Sequence, residues 1–234
     1  MVFVTAELST HWQGDKETLE CLVSTCKDIG FNAVKFQSLS KEKLARHPEI
    51  PYYSKASINP DNIDLVNSVC KKYDMEWYCT ITYPDAVDFL DPYVNRYKIS
   101  TFGSKDDEIK DRVFSTGKKV IISTEKPFKT NDERIKNLYC VPIYPTTYEE
   151  INFGIIKHFD GYSNHCRNPL AILTALEHGA KFIEFHLSPS KDFFLIDNIV
   201  SFSITESFDI IRWIRYFEVW NNRTSKVNKF PISE

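Results

Sequence analysis

Residues 32–37 read NAVKFQ, a short apolar run of strand length whose C-terminal half carries Lys35 and Gln37. Upstream, Asp15 to Ile29 turns Leu19, Cys21, Leu22 and Cys26 towards one face of a helix, and VFVTAE reads as an earlier strand ending on Glu7. Downstream the alternation continues with EWYCTIT, RYKIST, KVIIST, LYCVPI, FDGYS and KFIEFHL as strands. Helical stretches fall between them at Asn62 to Tyr73, Asp85 to Tyr93, Asp106 to Phe114, Tyr148 to His158 and Pro169 to His178, with Ser203 to Trp220 closing the chain. The weakest helix lies around Asn131 to Ile135. Asp15, Asp61 and Thr146 stand where N-caps belong, and Asn168-Pro169 pairs a cap with proline at the first helical position. Eight strands alternating with helices predict a parallel sheet, and eight repeats in 234 residues favour closure. The expected fold is α/β, a (β/α)8 TIM barrel, with residues 1–234 as one domain and an excursion from Leu44 to Pro60.

Polar residues then gather where each strand ends. Glu7 ends the first, Lys35 and Gln37 the second, Thr80 and Thr82 the third, Lys98, Ser100 and Thr101 the fourth, and Ser123 and Thr124 the fifth. Tyr144 follows the sixth, Ser163 and His165 the seventh, and His186 ends the eighth. The C-terminal mouth of a barrel is where active sites are built. A lysine or glutamate there gains nothing structurally, since desolvating an unpaired charge is costly. Two lysines, several hydroxyls and few acids make an anion pocket suited to phosphate plus carboxylate. His165 and His186, from neighbouring strand ends, form a pair able to ligate a divalent metal, or are packed histidines.

The composition excludes several other classes. With 42% hydrophobic and 26% charged residues the chain reads as globular, and a formal net charge of −3 gives no nucleic-acid footprint. Basic patches at Lys41 to Arg46 and at Lys118-Lys119 are accounted for by solvated faces. No apolar run has the length of a membrane span and no signal peptide is visible, which predicts a cytoplasmic protein. Six scattered cysteines without a C-x-x-C pair read as small buried hydrophobes, Cys166 beside a candidate ligand being the one place for a functional thiol. Trp213, Tyr216, Phe217 and Trp220 at helical spacing read as core, with an interface as the other option.

Several segments, taken in order, resemble the N-acetylneuraminate (sialic acid) synthase family. AELSTHWQG at the start, NAVKFQ, YCTITYPDAVDFL, YKIST, VIISTE, YCVPIYPTTYEEIN, GYSNH and GAKFIEFHL each match a family motif and together span nearly the whole chain. The resemblance implies a Mn or Mg ion held by His165 and His186. It implies phosphoenolpyruvate held by Lys35, Thr80, Lys98, Thr101, Ser123 and Ser163. Gln37, Tyr144 and Asp197 would face a sugar aldehyde, and Glu7 would lie near the reacting carbons as a polariser or acid/base group. The implied reaction is condensation of phosphoenolpyruvate with that aldehyde to a nonulosonic or other 2-keto-3-deoxy sugar acid plus phosphate. An aldolase or isomerase on a smaller substrate, and a barrel that binds sugar or phosphate without turnover, are the competing readings.

Departures from the family pattern fall on the acceptor side. His11-Trp12 replaces Asn-His and is expected to put an aromatic wall in the mouth, with His11 either near the metal or an ordinary loop histidine. Gly103 stands in place of an acid, Asn164 replaces the acid of G-Y-S-D-H, Glu125 follows Ser-Thr where the family has glycine, and FFLIDN keeps Asp197 while adding bulk. Family members carry a C-terminal antifreeze-like domain that reaches over the partner barrel. No such segment follows the eighth helix here, so a homodimer without it, a separate lid-supplying polypeptide, or a different acceptor is expected.

Overall fold

The computed structural model describes residues 1–40, 42, 45, 50–189 and 196–224. Its strands are β1 (Phe3–Glu7), β2 (Ala33–Ser38), β3 (Glu76–Ile81), β4 (Arg96–Ile99), β5 (Lys119–Thr124), β6 (Ile135–Tyr139), β7 (Gly161–Asn164), β8 (Phe182–Ser188) and a short β9 (Phe202–Ser203). The first eight run parallel in sequence order, and β1 pairs with β8 to close the barrel. The helices are α1 (Lys16–Ile29), α2 (Ile50–Ala56), α3 (Ile63–Lys72), α4 (Ala86–Leu90), α5 (Asp107–Ser115), α6 (Leu170–Glu177) and α7 (Ile204–Thr224). This is the (β/α)8 TIM barrel. No helix among the described residues is long and apolar enough to cross a membrane.

Period-two alternation along the strands sorts side chains between two environments. Val34 and Phe36 on β2, Cys79 and Ile81 on β3, and Ile183 and Phe185 on β8 face outward into the main core beneath the helices. The intervening positions face the barrel axis. At its floor Ala33, Tyr78, Ile121 and Leu138 pack with Phe3 and Phe182 into a separate apolar plug. Tyr78 OH and Thr5 Oγ1 share a 2.7 Å hydrogen bond there, and Arg96 lies 4.4 Å over the Phe3 ring. Two residues further along each strand, the same inward face becomes polar.

Local chemistry explains the element ends. Asp15 caps α1 by accepting from Thr18 N at 2.7 Å, and Gly30 ends it at φ +100°, a conformation glycine adopts without strain. Asn168 Oδ1 accepts from Leu170 N at 3.0 Å, with Pro169 opening α6.

Several expected elements differ. β6 begins at Ile135, three residues before the expected strand, and no helix forms around Asn131 to Ile135, where Arg134 pairs with Asp132 and there is no apolar stripe to bury. The expected helix Tyr148 to His158 is two 3-10 segments, Tyr148–Glu150 and Phe153–His158, separated at Ile151 and Asn152. On α1, Leu19, Leu22, Val23 and Cys26 are buried while Cys21 is exposed. On α7 the core face is Ile210, Ile211 and Ile214 with Phe217 packed against it, whereas Trp213, Tyr216 and Trp220 face outward. Trp12 is not a wall of the mouth: it is fully buried, donates to Ala56 O at 2.8 Å and stacks edge-on with Phe36. Of the basic run 41–46 only residues 42 and 45 are described, and residues 193–195 of FFLIDN lie outside the described residues, as does part of the 44–60 excursion.

The plug fixes one position tightly. A Cβ on Gly161 would sit 2.0 Å from Phe182 O on the adjacent strand. Gly161→Ala should therefore destabilise the fold by about 2–3 kcal/mol, the scale of core overpacking, read as a lower denaturation midpoint; an unchanged midpoint would show that β7 and β8 can separate freely.

Candidate active site

Above the apolar plug the inward residues of the strands line a cavity of about 620 Å³ at the C-terminal mouth. Of the residues singled out from the sequence, Glu7, Lys35, Gln37, Thr80, Thr82, Lys98, Ser100, Thr101, Ser123, Tyr144, Ser163, His165, His186 and Asp197 border it, whereas Thr124 does not and donates to Asn137 Oδ1 at 2.8 Å. The register explains the convergence. Glu7 lies beside Lys35 and beside His186, Gln37 beside Thr80, Thr80 beside Lys98, and Ser163 beside Glu184 on adjacent strands.

Glu184 organises the base of the cavity, and the sequence reading missed it. Its carboxylate accepts from Lys35 Nζ at 2.9 Å through Oε1, from Lys98 Nζ at 2.9 Å through Oε2, and from Ser163 Oγ at 3.0 Å. Lys35 also donates to Thr80 Oγ1 at 3.1 Å and contacts Glu7 Oε2 at 2.5 Å. The signal was present in KFIEFHL: Glu184 lies two residues before His186, so period two turns both inward.

Burial and charge compete across this network. Burial favours the neutral acid of Glu184, yet the two ammonium groups prevail and hold its carboxyl well below the usual range. For Lys35 burial favours the neutral amine, but Glu184 and Glu7 push its pKa up. Burial holds Lys98 below its ordinary value, opposed by Glu184 and reinforced by repulsion from Lys35. Burial raises Glu7 to about 7 despite the attraction of Lys35, so its carboxyl can hold or release a proton near neutral pH.

The histidines lie one layer higher on the same side of the barrel, His186 two residues after Glu184 on β8 and His165 two residues after Ser163. The His165 and His186 ring centroids are 5.5 Å apart, and Tyr144 packs edge-on against both at 4.9 and 6.2 Å. Burial lowers His165 to about 3 and also lowers His186, so both imidazoles are neutral with lone pairs available. Nδ1 of His186 is buried and makes no hydrogen bond among the described residues. The thiol close to this pair is Cys140, whose Sγ lies 3.7 Å from His165 Nδ1; Cys166 instead hydrogen-bonds through its backbone to Asn164.

Asp197 ties down the turn after β1. Its Oδ1 accepts from Tyr144 OH at 2.7 Å, and its Oδ2 accepts from Ser9 Oγ and, at 3.1 Å, from Thr10 Oγ1. His11 on the same turn is buried, and burial lowers its pKa to about 4 against the pull of Asp197. Among the described residues no group of three or more His, Cys, Asp or Glu side chains is arranged around a common metal position. What the residues fit is a two-imidazole site with its remaining positions left to water and substrate oxygens.

A closed barrel whose C-terminal mouth holds a cavity lined by two lysines, three carboxylates, two histidines and several hydroxyls defines an α/β-barrel protein with a candidate active site at that mouth. Residues 22–226 match the family model described as NeuB, and the chain belongs to the NeuB family. It is 24% identical to the N,N'-diacetyllegionaminic acid synthase of Legionella pneumophila over 91% of this chain and 71% of that protein. It is 27% identical to a pseudaminic acid synthase of Campylobacter jejuni, over 93% of this chain and 74% of that one. The solved N-acetylneuraminic acid synthetase of Leptospira borgpetersenii, in complex with citrate, superposes with a TM-score of 0.83 at 19% identity, covering 100% of this chain and 87% of the other.

Removing the carboxylate that joins the lysines should be costly. Glu184→Gln leaves two buried ammonium groups short of a counter-charge, a loss of about 3–5 kcal/mol in denaturant unfolding, and inorganic phosphate should restore part of it. A variant as stable as wild type, or indifferent to phosphate, would contradict this electrostatic account.

Proposed function

We propose that this chain is a phosphoenolpyruvate-dependent synthase that joins the enol carbon to a sugar aldehyde, giving a 2-keto-3-deoxy sugar acid and phosphate in the cytoplasm. The observation that carries the reading is the convergence of Lys35 and Lys98 on one buried carboxylate, in a cavity also lined by Ser123, Ser163 and Thr80. A small ligand bearing both phosphate and carboxylate matches that array of charge and donors. The names of the relatives support the same class of product, as does family membership.

In this reading Lys35 and Lys98 hold the phosphate and carboxylate of phosphoenolpyruvate, and the hydroxyls of Thr80, Thr101, Ser123 and Ser163 fix its orientation. Ser123 Oγ is buried in the cavity wall with no hydrogen-bond partner among the described residues, which suits a donor awaiting a ligand. His165 and His186 would hold a Mn or Mg ion, which when bound supplies Lewis acidity at the aldehyde oxygen. The electron pair of the enol double bond forms the new carbon–carbon bond as the aldehyde oxygen gains the carbonyl electrons. Water then adds to the cationic carbon bearing the phosphate, and the tetrahedral adduct expels phosphate to leave the keto group. Glu7, with its pKa near 7, is placed beside Lys35 to hold or accept a proton during these steps.

Phosphate release tests the proposal. Phosphoenolpyruvate with an aldose panel should yield inorganic phosphate only when an aldehyde is present. A chelator should abolish release and added Mn or Mg restore it. Release without aldehyde, or from no aldehyde tried, would overturn the synthase reading.

A further inference from the structure

Ser9 opens the turn that follows β1 with φ +33°, in the left-handed region where a Cβ crowds the chain and glycine is at ease. A side chain is held in that conformation only where its surroundings over-determine it, and such residues cluster at functional sites. Ser9 is buried, and three of its hydrogen bonds reach residues that border the cavity. Its backbone N donates to Glu7 Oε1 at 2.7 Å, and its Oγ donates to Asp197 Oδ2. Gln37 Nε2 donates to the same Oγ at 2.9 Å.

The hydrogens give this chain of bonds a direction. Asp197 also accepts from Tyr144 OH at 2.7 Å and from Thr10 Oγ1 at 3.1 Å. Burial favours its neutral acid, yet His186 and the hydroxyls of Ser9 and Tyr144 hold the carboxyl below its ordinary value. As a carboxylate it only accepts. Ser9 has a single hydroxyl hydrogen and gives it to Asp197, so towards Gln37 its oxygen can only accept. The amide nitrogen must therefore be the end of Gln37 turned to Ser9. The amide oxygen is set on the far side of the amide carbon, in a side chain that borders the cavity.

We infer that Ser9 is a positioning residue for the aldehyde acceptor: held in a strained backbone, its hydroxyl locks the Gln37 amide so that the amide oxygen accepts from a substrate hydroxyl. The inference rests on the synthase reading, in which Gln37 faces the acceptor, and adds to it a residue that acts through Gln37. The bonds run from Gln37 through Ser9 to Asp197 and leave out the Lys35–Glu184–Lys98 triad. Acceptor and phosphoenolpyruvate binding therefore respond separately.

The test follows phosphate release from phosphoenolpyruvate in wild type, Ser9→Gly, Ser9→Ala, Gln37→Ala and the double variant Ser9→Gly with Gln37→Ala. The acceptor is the aldose of the panel that gives the fastest release with wild type. Both Ser9 variants should raise the acceptor KM about 10-fold, the scale of one hydrogen bond, with kcat and phosphoenolpyruvate affinity close to wild type. In the Gln37→Ala background, Ser9→Gly should have no further effect. Ser9→Gly should also unfold at a higher denaturant concentration than Ser9→Ala, since both lack the hydroxyl and only glycine relieves the backbone. An unchanged acceptor KM in the Ser9 variants, additive effects with Gln37→Ala, or a Ser9→Ala chain as stable as Ser9→Gly would overturn the inference and leave the synthase reading standing. Release by wild type with no aldose of the panel would overturn both.

Discussion

A single buried carboxylate holds two ammonium groups at the centre of this barrel, and much of the site geometry follows from that arrangement. Lys35 and Lys98 come from β2 and β4, Glu184 from β8, so the ion triad ties distant parts of the sheet together across the barrel axis. Burying three charges is costly, and their mutual attraction offsets the cost only because hydroxyls satisfy the remaining valences. Ser163 and Thr80 fill that role. The result is a cluster one charge short of neutrality with respect to an incoming anion, with Glu7 at its edge balanced near neutral pH.

The same alternation that fills the barrel floor with Tyr78, Ile121 and Leu138 delivers Thr80, Ser123 and Glu184 one layer higher. Floor and site are therefore one construction. The apolar plug excludes water from below and lowers the local dielectric, which strengthens every charge interaction above it. Gly161 is glycine because Phe182 of the plug lies where its side chain would be. The loops then divide the work: the turn after β1 is pinned to Asp197, whereas the β4 and β6 loops carry Phe102 and Ile143 to the rim.

Much of this was legible in the sequence. NAVKFQ and KFIEFHL announce strands with inward polar residues, and nearly all the polar residues offered by the strand ends do surround one cavity, Thr124 being the exception. What escaped was pairing across the barrel. Glu184 sits in plain view two residues before His186, but nothing local says that its partners lie on β2 and β4. Trp12 misled for a related reason: an aromatic beside the first strand is ambiguous until the 3-10 turn of residues 9–12 sets it against Phe36 rather than the cavity. Around Tyr148 to His158 the apolar spacing suggested a helix, yet the chain makes two tighter turns with a break at Ile151 and Asn152, asparagine being a residue that favours caps and turns over a continuous ladder. Similarly, the helical spacing of Trp213, Tyr216 and Trp220 could not say which face of α7 the isoleucines would claim.

The claim on which the account depends is that the Lys35–Glu184–Lys98 triad is the seat of phosphoenolpyruvate. Titration calorimetry of phosphoenolpyruvate into the wild-type chain and into Lys98→Met tests it directly. The account predicts one molecule bound per chain by wild type and affinity reduced about 100-fold in the variant, equivalent to about 2.7 kcal/mol for a charge-assisted contact in a buried pocket. Equal affinity in the two proteins, or no binding by the wild type, would contradict it.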